Sequence, residues 1–277
     1  MKINTYQKFF LTFLALILVF WAVLFLSDIK EGFYNYLYSF LFGLIPLIGG
    51  IIGMRGAQSW GGLKSAVGKA LFFISFGIFL WGCGEAIWSY YNFFEGVPAP
   101  YPSLADLGFA PSIFFYGLGS IYLAKATGAK FGLRSTGAKI FAYLAPIAIF
   151  VFSYYVLVTV ARGGVLVPEG ESLLKTILDI AYPVGDFIGL AVSVVISGLS
   201  FKYLGGRYIL DIASILLGLA VMFIADSIFS YTTTAGTYYN ANFGDLILTL
   251  GVFFLAFGVV GFCNHIKSEK VSVHTVQ

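Results

Sequence analysis

Two acidic residues lie in closely similar surroundings in the two halves of this sequence. Glu85 belongs to Gly84-Glu85-Ala86-Ile87-Trp88-Ser89-Tyr90, and Asp226 belongs to Ala225-Asp226-Ser227-Ile228-Phe229-Ser230-Tyr231. Both stretches are otherwise apolar, and an ionisable side chain inside a membrane span is costly unless it has a partner, water or a bound ion. A structural hydrogen bond and a ligand- or ion-binding role are both open for these carboxyl groups.

Two further acids flank a sequence that can interrupt a helix, Asp179-Ile180-Ala181-Tyr182-Pro183-Val184-Gly185-Asp186. A spacing of seven places Asp179 and Asp186 on one helix face, two turns apart. Pro183 and Gly185 can break the helix and free backbone carbonyl groups. A broken helix with two acids predicts a polar cavity within the membrane, although a simple proline kink would explain the same residues.

Asp106 and Asp245 occupy equivalent positions at the beginnings of two apolar stretches. Ser103-Leu104-Ala105-Asp106 and Asn242-Phe243-Gly244-Asp245 each place an N-capping residue three positions before an acid. This spacing is typical of a capping box, and an acid in the first turn also suits the positive end of the helix dipole. N-capping and a place at the rim of a binding site are both open for this pair.

Aromatic residues are concentrated around these acids. An interfacial aromatic belt is one interpretation. The other is an aromatic cavity with acidic walls, which would suit a cationic or amphiphilic small molecule. The residues concerned are Trp81, Trp88, Tyr90, Tyr91, Phe93, Phe94 and Tyr101 in the first half, and Phe229, Tyr231, Tyr238, Tyr239 and Phe243 in the second.

The composition excludes most soluble classes of protein. Charged residues make up 10% of the 277 residues, hydrophobic residues make up 59%, and the mean hydropathy is +0.91, whereas an average soluble domain is about 25% charged. A net charge of +3 does not indicate a nucleic-acid partner. The only histidines are His265 and His274, which disfavours zinc, haem and Ser-His chemistry in the membrane. We therefore expect a membrane protein that is not an enzyme, has no cofactor and has the lipid bilayer as its first partner.

The chain is predicted to be an all-α membrane protein with eight transmembrane helices. A helix crosses the hydrocarbon core with about 20 apolar residues, and a β-barrel is disfavoured because the apolar runs do not alternate in polarity. Lys2 and Lys8 precede the first stretch, which is too long for a signal-peptide core and is expected to be retained. The predicted spans are 9–28, 34–54, 66–94, 104–126, 137–161, 173–200, 207–232 and 243–266.

The basic residues predict the orientation in the cell membrane. With eight spans, both termini lie on one side, and that side holds 13 of the 16 basic residues. We therefore expect both termini to be cytoplasmic and most of the acids to lie in the outer half of the bundle. The three basic residues on the other side are Lys30, Arg162 and Lys175.

The sequence also indicates an internal duplication. Glu85 and Asp226 match at an offset of 141 residues, and other matches follow in the same order. We therefore predict two parallel four-helix repeats, 1–130 and 131–277, related by an axis along the membrane normal. The other matching pairs are Gly96 with Gly236, Asp106 with Asp245, Phe114-Phe115 with Phe253-Phe254, and Gly119 with Gly258.

Three of these motifs resemble a known membrane module. They are Pro102-Ser103-Leu104-Ala105-Asp106-Leu107, the run from Asp179 to Asp186, and the segment from Ala225 to Tyr238. They are similar to the multi-helix N-terminal membrane module of some bacterial GGDEF/EAL signalling proteins and sensor histidine kinases. The resemblance covers roughly residues 81–260 and implies a sensory role. Only a short polar tail follows the last span, so the resemblance implies an output through a partner chain.

The function we predict from the sequence is a stand-alone membrane sensor or ligand-binding module. The ligand would be a small molecule, a lipid or a cation, and the signal would pass to a partner membrane or signalling protein. A proton or cation transporter and a structural subunit of a membrane complex are the alternatives. The predicted ligand-binding residues are Glu85, Trp88, Asp106, Asp179, Asp186, Asp226 and Asp245.

Overall fold

The fold is helical throughout the part of the chain that a computed structural model describes. These residues are 3–127, 136–161, 163–165, 172–178 and 208–264, together with positions 170, 181–182, 185, 187, 190–191 and 195. They contain no β-strand. The predicted site residues Asp179 and Asp186, and Pro183 between them, lie outside the described residues.

Seven long helices are present among the described residues. Six of them, all except α5, are long and apolar enough to cross a membrane, so the prediction of a multi-pass all-α membrane protein is confirmed at this level. Short π-helical segments continue α3 and α5, at Tyr91–Glu95 and Tyr155–Ala161. The helices are α1 Thr5–Leu26, α2 Phe33–Ser59, α3 Ala66–Tyr90, α4 Asp106–Ala126, α5 Thr136–Tyr154, α6 Ile209–Thr234 and α7 Phe243–Gly261.

The six spanning helices coincide with six of the eight predicted stretches. The remaining two stretches are not established as spans. α5 falls within the predicted stretch 137–161, but its apolar part, Lys139–Phe152, is shorter than a membrane crossing requires. Most of the predicted stretch 173–200 lies outside the described residues.

The start of α1 and the end of α7 meet at one end of the bundle, which we call the terminal end. Asn4 caps α1 by accepting from Gln7 N, and its amide donates to Val260 O at 2.8 Å. The Gln7 amide donates to Asp211 Oδ1 at 2.7 Å in the first turn of α6. The opposite end, which we call the far end, holds the α3–α4 and α6–α7 connections.

α2 is held between α3 and α7 by glycine contacts. A Cβ atom on Gly50 would lie 2.7 Å from the carbonyl oxygen of Ser75 on α3. A Cβ on Gly49 would lie 3.2 Å from the Cα of Ala256 on α7. Small residues let helix backbones approach closely, and such close packing drives helix association in lipid. α2 is therefore one of the helices that join the first part of the chain to the last.

The α3–α4 pair and the α6–α7 pair pack through equivalent residues. A Cβ on Gly119 of α4 would lie 2.9 Å from Ile74 N, and a Cβ on Gly258 of α7 would lie 3.0 Å from Ile215 N. Gly258 follows Gly119 by 139 residues and Ile215 follows Ile74 by 141, which are offsets found in the sequence. Gly77 contacts Tyr116, and Gly218 contacts Leu255. Gly218 follows Gly77 by 141 residues and Leu255 follows Tyr116 by 139, the same two offsets.

Replacement of Gly119 by alanine is expected to destabilise the protein. The new methyl group would collide with the backbone of Ile74 and Ala70, and overpacking of this kind costs about 1–3 kcal/mol. Gly117→Ala on the same helix is the matched control, because nothing lies within 4 Å of its added Cβ. Thermal unfolding in mild detergent would measure both. Equal melting temperatures for the two variants would contradict the close α3–α4 packing.

Candidate functional site

A small cavity lies within the half of the bundle nearer the far end. The centre of a water molecule can occupy about 50 Å³ of it. Side chains from α2, α3, α4, α6 and α7 form its walls. The lining residues are Phe42, Trp81, Glu85, Trp88, Tyr101, Asp106, Phe109, Ile113, Tyr116, Tyr182, Met222, Asp226, Phe229, Ser230, Tyr238, Asp245 and Leu248.

Five of the seven predicted site residues come together around this cavity. They are Glu85, Trp88, Asp106, Asp226 and Asp245, and they come from four different helices. The other two, Asp179 and Asp186, lie outside the described residues. Tyr182, which lies between those two in the sequence, also lines the cavity.

The Glu85 carboxyl group keeps an unsatisfied oxygen in the cavity wall. The side chain is 4% exposed, and its Oε1 atom has no hydrogen-bond partner. The Ser39 hydroxyl contacts the carboxyl group, and the charge of Asp245 is close enough to repel a charge on Glu85. Gly43 makes room for Glu85, since a Cβ there would lie 3.1 Å from the Glu85 Cβ and collide with its Cγ.

Asp245 makes hydrogen bonds at the N-terminus of α7 and also lines the cavity. Its Oδ2 accepts from Ala241 N at 2.7 Å, and its own N–H donates to Asn242 Oδ1 at 3.1 Å. The Tyr238 hydroxyl lies 3.2 Å from Asp245 Oδ1. Burial, and then the negative charge of Asp245, raise the pKa of Tyr238 well above its ordinary value, so Tyr238 acts as the donor in this bond.

Asp106 has a similar double role at the start of α4. Its Oδ2 accepts from Ser103 N at 2.7 Å, and Oδ1 accepts from the Tyr182 hydroxyl. α4 begins at Asp106 itself, two residues later than a capping box starting at Ser103 would give. Asn242 therefore caps α7 as predicted, whereas the predicted cap at Ser103 is wrong, because the N-cap of α4 is Ala105 and it has no side-chain cap bond. Both acids line the cavity, and their place at the rim of a binding site stays a prediction.

Asn240 bonds to the cavity-lining Trp88 near the far end, and it was not among the predicted site residues. Its Oδ1 accepts from Ser39 Oγ and from Trp88 Nε1, each at 3.0 Å. Its Nδ2 donates to Pro98 O at 2.7 Å, and its carbonyl accepts from Asn35 Nδ2 at 2.9 Å. Asn240 is 1% exposed. This one side chain fastens the α6–α7 connection to α2, to α3 and to the α3–α4 connection.

The aromatic residues of the wall contact one another mainly edge to face. Trp88 makes such contacts with Phe109, Phe229 and Tyr238, at centroid distances of 6.3, 5.9 and 5.9 Å. Trp81 lies 5.1 Å from Phe109. Other aromatics predicted for the site point away from it, and Tyr90, Phe94, Tyr231 and Phe243 are exposed. The aromatic residues that line the cavity and those that are exposed are therefore different sets, and both interpretations of the cluster stay predictions.

The wall is acidic, and no basic side chain is among the described residues that line it. Between described residues the one ion pair joins Lys30 and Asp28, 2.7 Å apart and exposed. The described residues contain no group of three His, Cys, Asp or Glu side chains arranged to hold a metal ion. The geometry instead offers carboxyl oxygens beside aromatic faces, a combination that attracts small cations.

Asn240→Ala is expected to loosen this end of the bundle. It would leave the Trp88 and Ser39 donors and the Pro98 acceptor without their partner, and an unsatisfied buried polar group costs about 1–3 kcal/mol. The melting temperature in detergent should fall clearly below that of Thr237→Ala, a control at an exposed position of the same connection. Equal stability of the two variants would contradict the role of Asn240.

Comparison of the chain with protein families, curated proteins and solved structures finds no match. The resemblance of three motifs to a bacterial sensor module therefore stays a prediction. What can be said about the function depends on the cavity and its residues.

Proposed function

We propose that this protein is a membrane-embedded binding module and that its ligand occupies the acidic and aromatic cavity. The observation that supports this most directly is Glu85 Oε1, a buried acceptor that lines the cavity and has no partner. Ionisable residues inside a span are costly and mark functional sites, and an unsatisfied buried polar group lowers stability. A bound ligand would supply the missing partner.

The proposal includes a sensory role. The ligand would lie between α2, α3, α4, α6 and α7, so its binding would favour one packing of these helices over another. Glu85 is buried on α3 close against Gly43 of α2, and a ligand on its carboxyl group would act on that contact first. The signal would pass from the helices to a partner chain.

We also infer that the chain is a duplicated four-helix unit with eight spans and cytoplasmic termini. The contacts between α3 and α4 recur between α6 and α7 at residues displaced by the same two sequence offsets, and this supports the duplication. Two unrelated helix pairs would have no reason to make contacts at matching sequence positions. The meeting of the start of α1 with the end of α7 supports an even number of crossings. The excess of basic residues supports the cytoplasmic side.

Native mass spectrometry of the gently solubilised protein tests the binding function. The wild type is expected to carry a discrete adduct of small-molecule or ion mass, and Glu85→Gln is expected to lose it, because the variant keeps the side-chain size and removes the charge. Glu95→Gln is the matched control, since Glu95 is exposed and outside the cavity.

An adduct that persists in Glu85→Gln would contradict the placement of the ligand in this cavity. Equal loss in both variants would also contradict it, because the effect would then follow from any lost negative charge. Stoichiometric partner chains without a small adduct would favour a structural subunit instead.

A further inference from the structure

The size of the cavity limits its ligand. About 50 Å³ is open to water centres, a space that suits a compact ligand of a few non-hydrogen atoms. An acyl chain or a drug-sized amphiphile does not fit this space. A compact ion or molecule does.

The acidic side chains of the cavity wall favour a positively charged ligand. Glu85, Asp106, Asp226 and Asp245 all line the cavity, and none of the other described residues around it is basic. Aromatic rings of Trp81, Trp88, Phe109, Phe229 and Tyr238 make up much of the remaining surface. Carboxyl groups attract a cation, and aromatic faces attract one whose charge is spread over alkyl groups.

The unpartnered Oε1 atom of Glu85 favours an organic cation over a metal ion as the ligand. Glu85 Oε1 needs one donor, whereas the Asp245 carboxyl group already accepts from Ala241 N and from Tyr238. Calcium and magnesium ions take six or more oxygen ligands, and no group of three ligating side chains exists among the described residues. An N–H group satisfies Oε1 with a single charge-assisted hydrogen bond.

We propose that the ligand is a small alkylammonium ion that donates an N–H to Glu85 Oε1 and rests its alkyl groups on the aromatic wall. This inference depends on the proposed binding function and names the ligand class of the same cavity. Methylammonium, dimethylammonium and trimethylammonium have the required size, charge and N–H. Tetramethylammonium has no N–H, hexylammonium is too long, and potassium has neither donor nor alkyl surface.

Binding of radiolabelled methylammonium to the purified protein in lipid nanodiscs, measured by scintillation proximity, tests this inference. Saturable binding is expected. Dimethylammonium and trimethylammonium should compete, and tetramethylammonium should compete at least about tenfold more weakly, because it leaves Oε1 unsatisfied. Hexylammonium and potassium should also be poor competitors. This series uses the wild type alone, so it does not depend on how any variant folds.

Glu85→Gln should weaken methylammonium binding by about tenfold or more, since the charge-assisted bond is lost, while Glu95→Gln should bind as the wild type does. Absence of saturable binding would overturn the inference, as would equal competition by tetramethylammonium or unchanged affinity in Glu85→Gln. If methylammonium fails to bind while a native adduct still depends on Glu85, the alkylammonium inference fails and the binding function remains.

Discussion

The close packing of α2 against α3 and α7 is the constraint on which the rest of the structure depends. At Gly49 and Gly50 the neighbouring backbones leave no room for a side chain. This approach brings α7 from the end of the chain against α2 and α3 near its beginning. Gly43, about two helical turns nearer the far end, also has no side chain, and this leaves room between α2 and α3 for Glu85. The cavity is therefore a consequence of helix packing and not of a flexible loop.

The same packing buries several polar groups of the cavity wall, and not every one of them has a hydrogen-bond partner. Asp106 and Asp245 have backbone and tyrosine donors, and Asn240 satisfies both ends of its amide group. Glu85 retains an unpartnered oxygen beside the charge of Asp245. Local departures from good polar satisfaction are expected at functional sites, where stability is given up for binding. The contrast between Glu85 and its well-bonded neighbours favours the proposed binding role of this wall over a purely structural one.

The long apolar stretches of the sequence predicted eight spans, and six of these stretches coincide with helices that are long and apolar enough to cross a membrane. Five of the predicted site residues line one cavity. An acid, or a tryptophan with its indole N–H, stands out inside an apolar stretch, because burying such a polar group without a hydrogen-bond partner is costly wherever it lies. Asn240 gave no such signal, since a polar residue in a connection is ordinary until its four bonds across three other segments are seen. Phe42, Phe109 and Tyr116 were missed for a related reason, because an aromatic residue within a helix looks the same whether it faces lipid or a cavity. Helix packing, which the sequence does not give, decides between the two.

Glu85 is the group to which we propose that a small cation binds. Difference infrared spectroscopy in the carboxyl region, recorded with and without methylammonium, tests this at the group itself. A ligand-dependent change in a carboxyl band is expected in the wild type and in Glu95→Gln, and it is expected to be absent in Glu85→Gln. A wild-type difference spectrum with no carboxyl change, or one that Glu85→Gln reproduces in full, would contradict the proposal.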